Sequence, residues 1–388
     1  MKSISVDNLS PNSYFSEPVF LDNKYILLSP DVPVDDSLIQ RLKKWNIEKI
    51  HTAGVYIGKS EYTTTADKET IEFNLEQDVK NQTAQEETVK FYFDLLTFCK
   101  DMFAEYTQKN QINIEIISEK IKGAIEQIKQ HRDLILKFHE LKYPTENYLY
   151  NHSVNTALLS LAIGSILKMP PHKLIELGIA ALLHDIGMIK LPPQVYLKSG
   201  PLEPQEKKTI MAHTILGYKI LKGFSVAENI ALTAIEHHER LDGSGYPRAL
   251  KGENAVSIYG RIVAVACSFD GCTSDRPYKE GMEGYKGIVD LIKTNKHRYD
   301  ENVLKALIFA ISLYPIGTTV LLSDHAVGVV VKTNPKNPKC PIVRVLIDKG
   351  GKRLTEPVLI QTSEESVGIS IWRVLEDYEK PKLESDKV

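Results

Sequence analysis

The chain has little that would tie it to a covalent framework, a membrane or a polyanion. Only four cysteines occur in 388 residues (Cys99, Cys267, Cys272 and Cys340), and none forms a CxxC pair. That excludes a disulfide scaffold and points to a reducing compartment, the cytoplasm. No apolar run approaches the ~18 residues of a membrane span, and the polar start from Met1 to Tyr14 has no secretory apolar core. A formal net charge of −2 gives no whole-chain case for a nucleic-acid polymer or a membrane surface as partner. Internal repeats are absent as well.

The length exceeds one ordinary core and implies two or three domains. Residues 1–57 read as a small α+β domain. Short strands are expected at Phe15–Leu21 and Tyr25–Leu28, a helix capped by Asp35 or Asp36 through Trp45, and a returning strand at Ile47–His51. Residues 58–87 turn polar and acidic and read as a linker. From 88 to 141 the pattern is helical, with Phe91, Leu95, Phe98, Ile117, Ile121 and Ile128 on apolar faces. Those faces would pack either on their own domain or on a second subunit, so a homodimer stays open at this point, as do signalling protein partners. Residues 142–315 read as helices punctuated by Pro and Gly. Residues 316–375 read as a small β-barrel-like domain, with strands near Thr319, Val327, Ile342 and Val358, and 376–388 as a tail. The fold class is therefore mainly α, with small β-containing ends.

The chemistry lies between about residues 145 and 280. His152 is expected on a helix from Glu146 to Lys168. His184 and Asp185 follow on the inner side of a second helix that Gly187 ends. His213 belongs to a third helix opened by Pro204, and His237-His238 to a fourth. Each histidine alone is most often a hydrogen-bonded core residue. Five on inward faces, with an inward Asp, would be costly to bury without a metal to satisfy them. Imidazoles with one carboxylate favour iron or manganese, with zinc allowed, rather than magnesium alone. One shared Asp suits two divalent ions that activate a water and stabilise an in-line displacement at phosphorus.

This segment resembles the HD-GYP family, bacterial phosphodiesterases of the HD superfamily that open cyclic di-GMP. The matching residues are His184-Asp185-Ile186-Gly187 and His237-His238-Glu239, then Asp242-Gly243-Ser244-Gly245-Tyr246-Pro247, and further on Thr273-Ser274-Asp275-Arg276-Pro277-Tyr278. The flanks resemble the family too, in Phe20–Lys49 and in Tyr314-Pro315-Ile316-Gly317-Thr318. The resemblance implies an HD helical bundle at 142–315 and hydrolysis of cyclic di-GMP to linear pGpG or GMP. It also implies one ion on His152, His184 and Asp185, with Asp185 bridging to a second ion on His213, His237 and His238. His184 and Asp185 would be the residues on which catalysis depends. The loop carrying Asp242, Gly243 and Tyr246 would shape the substrate pocket, with Arg276 and Lys279 near phosphates or bases.

Three positions depart from the family pattern. Met188 stands where a phosphate-contacting Lys is usual, and Lys190 would replace it only if the loop ran differently. Cys267 stands where the first ion's distal Asp is usual and is itself a candidate ligand, since a thiolate can hold iron or zinc, with Asp270 nearly one helical turn on as the other candidate. Tyr148 stands where some members carry a Glu for a further metal, so two ions are the expected maximum. The alternative reading is a degenerate relative that binds cyclic di-GMP or proteins and signals without hydrolysis. Hydrolysis of another nucleotide is a third reading, which the Gly-Tyr-Pro loop disfavours.

Overall fold

The computed structural model describes residues 75–137, 148–295, 297–364 and 368–376 without interruption. Before residue 75 it describes the segments 2–9, 14–15, 19–20, 26–28, 36–44, 49–52 and 56–57 with isolated positions 34 and 47, and near the end position 379. Most of the expected tail and the linker residues 58–74 lie outside the described residues, as does the expected helix start at Glu146.

Contacts divide the chain into two units. In the N-terminal unit, β1 (Lys2–Ser5), β3 (Val19–Phe20), β4 (Ile26–Leu28) and β5 (Lys49–Thr52) form an antiparallel sheet in the order β1-β5-β3-β4. Strand β2 (Tyr14–Phe15) pairs with β6 (Tyr56–Ile57). Helix α1 (Asp36–Lys44) contributes Leu38 and Leu42 to a core with Val6, Val19 and Ile50. The first strand was not legible beforehand, because four residues reading Lys-Ser-Ile-Ser carry almost no alternation.

The second unit holds the helical bundle. Helix α2 (Leu75–Lys109) begins inside the stretch expected to be linker, and α3 (Ile114–Lys137) follows a short break. Tyr92, Leu95, Cys99, Ile117, Ile121 and Ile128 enter the same core as the histidine-bearing helices. Their apolar faces thus serve the chain's own domain, which settles that alternative for these positions.

Helix α4 (Tyr148–Ile166) is central. Sixteen of its nineteen residues are buried, so it is enclosed all round rather than on the single stripe expected of an amphipathic helix. Each Leu or Ile so buried stabilises the fold by roughly 1.5–3 kcal/mol relative to exposure. Around it pack α5 (Pro171–Leu183), α10 (Ile258–Thr273) and α12 (Glu301–Ile311). The remaining elements are α6 (Pro193–Tyr196), α7 (Pro204–Met211), α8 (His213–Lys222), α9 (Glu228–Glu236) and α11 (Gly284–Thr294).

After the bundle, β7 (Thr319–Leu322), β8 (Val327–Lys332), β9 (Ile342–Ile347), β10 (Arg353–Gln361) and β11 (Ile371–Val374) make an antiparallel sheet in the order β10-β9-β8-β7-β11. The architecture is mainly helical with small β-containing ends, as expected. None of the described helices is long and apolar enough to cross a membrane.

Candidate metal centre

Most of the histidines sit at helix ends rather than on mid-helix stripes. Helix α5 stops at Leu183, earlier than a stop at Gly187 would give, and His184 caps it. Asp185 then opens a short 3-10 turn over Ile186–Lys190. The third expected helix is broken at Ala212, so His213 begins α8. His237 caps α9, with His238 beyond it. Of the five donor histidines, only His152 lies in the interior of a helix, on α4.

At these helix ends the imidazole N–H groups turn back onto backbone carbonyls of the preceding turn, adding to the backbone N–H that Ile210 O and Thr233 O already accept. His184 Nδ1 donates to Ala181 O at 2.7 Å, His213 Nδ1 to Ile210 O at 2.5 Å and His237 Nδ1 to Thr233 O at 3.2 Å. Each bond fixes the tautomer and leaves Nε2 bare and aimed inward. His152 is oriented differently, since its Nδ1 donates to Asp270 Oδ2 at 2.5 Å. Asp270 also accepts from Asn155 Nδ2 at 2.8 Å and from Ser274 Oγ at 2.7 Å. Tyr92 of α2 completes that buried chain by donating to Asn155 Oδ1 at 2.6 Å.

The donors converge in two groups, each with its atoms within 4.8 Å of one another. One contains His152, His184 and Cys267, the other Asp185, His213, His237 and His238. Asp185 faces both. Its Oδ2 is 3.8 Å from His152 Nε2 and 3.5 Å from His184 Nε2, while its Oδ1 is 3.2 Å from His213 Nε2 and 3.4 Å from His237 Nε2. His184 Nε2 and Asp185 Oδ1 are buried with no hydrogen-bond partner, a costly arrangement unless a cation completes it. The donor set fits two divalent ions.

The electrostatics agree for most of the set. Burial, opposed by Asp185, pushes His184 down to about 3. Burial and then the neighbouring His237 and His213 hold His238 well below the usual imidazole range. Burial would raise the Asp185 carboxyl, but the facing imidazoles of His184, His213 and His237 hold it well below the carboxylate range. Neutral imidazoles around an ionised carboxylate are ready to ligate. His152 differs: burial and the Arg276 charge press it down, yet Cys267 and the Asp270 bond lift it to about 9.

Two close approaches lock this geometry. A Cβ on Gly187 would lie 2.0 Å from His213 O and 2.6 Å from Gly217 N, so only glycine lets the Asp185 turn press against α8. A Cβ on Gly245 would lie 2.3 Å from Arg240 N. The loop holding Gly245 is clamped by buried carboxylates. Glu239 accepts from Arg248 N at 2.7 Å and Leu250 N at 3.0 Å, and Glu236 from Arg248 Nη2 at 2.7 Å and Ser257 N at 2.9 Å. Tyr246 is thereby stacked on His238, with ring centroids 4.6 Å apart.

Beside the donors opens a cavity of about 410 Å³. Arg276 and Tyr246 line it, as expected of substrate-facing residues, and so does Met188. Arg276 Nη2 lies 3.1 Å from His152 Nδ1, and its guanidinium covers the Tyr148 ring at 5.3 Å. The other expected substrate residues are elsewhere. Lys190 points to the far side of the 3-10 turn, 5.0 Å over the Tyr106 ring, and lines a separate pocket. Asp242 accepts from Ser244 within its own loop, and Gly243 supplies the turn's positive φ. Lys279 is absent from the cavity wall and pairs through its backbone with Arg276. Asp270 is turned to Nδ1 of His152, away from the donor convergence, which removes it as a substitute ligand. The tyrosines Tyr148, Tyr196, Tyr278 and Tyr299 also line the cavity, a feature whose residues are too scattered in sequence to have been grouped.

A family model described as HD domain matches residues 113–303, and one described as KOW domain associated with HD domain matches 319–377. The first begins with α3, ahead of residue 142. The chain is 28% identical over 351 residues to the cyclic di-GMP phosphodiesterase PdeB of Borreliella burgdorferi, covering 89% of this chain and 87% of that protein. It is 31% identical over 252 residues to the cyclic di-GMP phosphodiesterase PA4108 of Pseudomonas aeruginosa, covering 65% of this chain and 60% of that protein. It is also 34% identical over 169 residues to the 3'3'-cGAMP-specific phosphodiesterase 3 of Vibrio cholerae, covering 43% of this chain and 36% of that protein.

Proposed function

The chain belongs to an HD-GYP-type family of HD-domain proteins, and from that premise we propose that it is a metal-dependent phosphodiesterase acting on cyclic di-GMP. The observation that carries the reading is Asp185, whose two oxygens face two separate sets of donors. Two ions held there would polarise the phosphodiester and activate water. Iron or manganese suits the imidazole-rich half, with zinc allowed.

This chain's own residues supply the rest. Asp185 and the bare Nε2 atoms of His184, His213 and His237 fix the reacting centre, with His152, His238 and Cys267 completing the donors. Arg276 is the one permanently cationic side chain among the described cavity-lining residues, so it is placed to hold a phosphate oxygen and favour developing negative charge. Tyr246 and Tyr278 offer aromatic surface for bases. Product, pGpG or GMP, depends on whether the linear dinucleotide is released before a second cleavage. The four cysteines are free, which supports a reducing cytoplasmic setting.

Met188 on the cavity wall supports a second reading, in which the chain binds the nucleotide without cleaving it. Turnover of cyclic di-GMP and of 3'3'-cGAMP by anaerobically prepared protein, reconstituted separately with iron and manganese, distinguishes them. Preferential cleavage of cyclic di-GMP, lost in His184→Ala and Asp185→Ala, supports the phosphodiesterase. Nucleotide binding with two bound ions and no cleavage supports the receptor.

A further inference from the structure

The first half of the donor cluster contains a sulfur where a carboxylate would make it resemble the second. Cys267 is buried on α10, with Sγ 3.5 Å from His152 Nε2, and shares a donor group with His184. The orphaned His184 Nε2 turns to the same point, and Asp185 Oδ2 stands 3.5 Å from it. One helical turn on, Asp270 is committed to the opposite nitrogen of His152 and to Asn155 and Ser274. The donors left for an ion in this half are two imidazole nitrogens, one sulfur and one shared carboxylate oxygen. The other half offers three imidazoles and the second oxygen of the same carboxylate. A thiolate favours zinc(II) and iron(II), whereas manganese(II) prefers oxygen ligands.

We infer that the His152–His184–Cys267 half-site is thiolate-ligated and selects zinc(II) or iron(II) over manganese(II), so that the two ions of the pair are chemically unequal. As the sulfur–metal bond forms, the Sγ proton leaves to solvent and no electron is transferred. The inference rests on the two-metal reading of the site but not on the identity of the substrate.

Cobalt(II) is the direct probe, because sulfur bound to cobalt gives an intense near-ultraviolet charge-transfer band that nitrogen and oxygen ligands do not. Metal-free full-length protein loaded with cobalt(II) is expected to show the band, to lose it in Cys267→Ser and to keep it in Cys272→Ser, a change at the other cysteine among the cavity-lining residues. In equilibrium with equal zinc(II) and manganese(II), Cys267→Asp should lower the bound zinc-to-manganese ratio at least about tenfold relative to wild type. On wild-type protein, where no variant need fold, zinc(II) should protect Cys267 from alkylation while manganese(II) does not. A cobalt protein without the band, a band surviving Cys267→Ser, or equal protection by both metals would overturn the inference. None of these readouts needs substrate. A band without cyclic di-GMP turnover would leave the half-site standing and remove the phosphodiesterase reading, and turnover without a band would do the reverse.

Discussion

The two halves of the donor cluster share Asp185 but are held in place by different means. His213 and His237 in one half lean on backbone carbonyls at helix ends. His152 in the other half leans on a carboxylate, Asp270, which is itself held by Asn155 and, through it, by Tyr92. A carbonyl anchor survives any side-chain substitution that preserves the helix end. A carboxylate anchor makes its imidazole more basic and exposes it to mutation at each link. The His213–His237 half is therefore insulated, and the sulfur-bearing half is tunable through His152, its other imidazole His184 leaning on Ala181 O.

Removing what the halves share should have the largest effect. Asp185→Ala is expected to lower turnover by at least about a thousandfold and to reduce bound metal in both halves, as read by kinetics and elemental analysis of the same sample. Gly187→Ala attacks the contact between the Asp185 turn and α8, where the new Cβ would meet backbone at 2.0 Å. Overpacking of that kind costs about 1–3 kcal/mol, so a lowered Tm and a weakened His213–His237–His238 half are expected.

Asp270→Asn separates the halves. It should weaken the ion on the His152 side by about 10–100-fold while leaving the other unchanged, measured by calorimetric metal titration. Acidity separates them in the metal-free protein. His184 and His238 sit below the free value of 6.5 when folded, so the unfolded chain binds more protons and stability falls with pH from about 6.5 toward 3. His152, raised to about 9, contributes stability below about 6.5 and loses it as pH rises to about 9. Chelator-treated protein should thus be most stable near pH 6.5, and a Tm that rose steadily on acidification would count against buried neutral imidazoles. Tyr92→Phe should have the smallest effect, because it removes only the outermost link to His152. The expected loss is tenfold or less in affinity on the His152 side, within the lower range for outer-shell partners, with nothing lost on the other.

Much of this contrast was legible in the sequence, and the missing part has physical causes. His152, His184, Asp185, His213, His237 and His238 stand out because buried imidazoles at such density need a common partner, and the structure does bring them together. Their positions at helix ends were not legible. A 3.6-residue period continues smoothly through Ala212 and through Leu183–Gly187, whereas the helices break there and the Nδ1 groups turn back onto carbonyls of the preceding turn. Lys190 could replace the missing Lys only if the loop ran differently, and the 3-10 turn instead directs it over Tyr106. Asp270 was one turn from Cys267 in sequence, and only its commitment to His152 Nδ1 separates anchor from ligand. Tyr92 lies 63 residues from Asn155, a pairing that only the packing of α2 on α4 creates.

The central claim is that catalysis requires both halves at once, joined through Asp185. The most direct test is cyclic di-GMP turnover followed while iron(II) is titrated anaerobically into metal-free protein, with bound metal measured at each point. Turnover that stays near zero through the first equivalent and rises with the second is the predicted result. Full turnover at one bound ion per chain, or none at two, would contradict it.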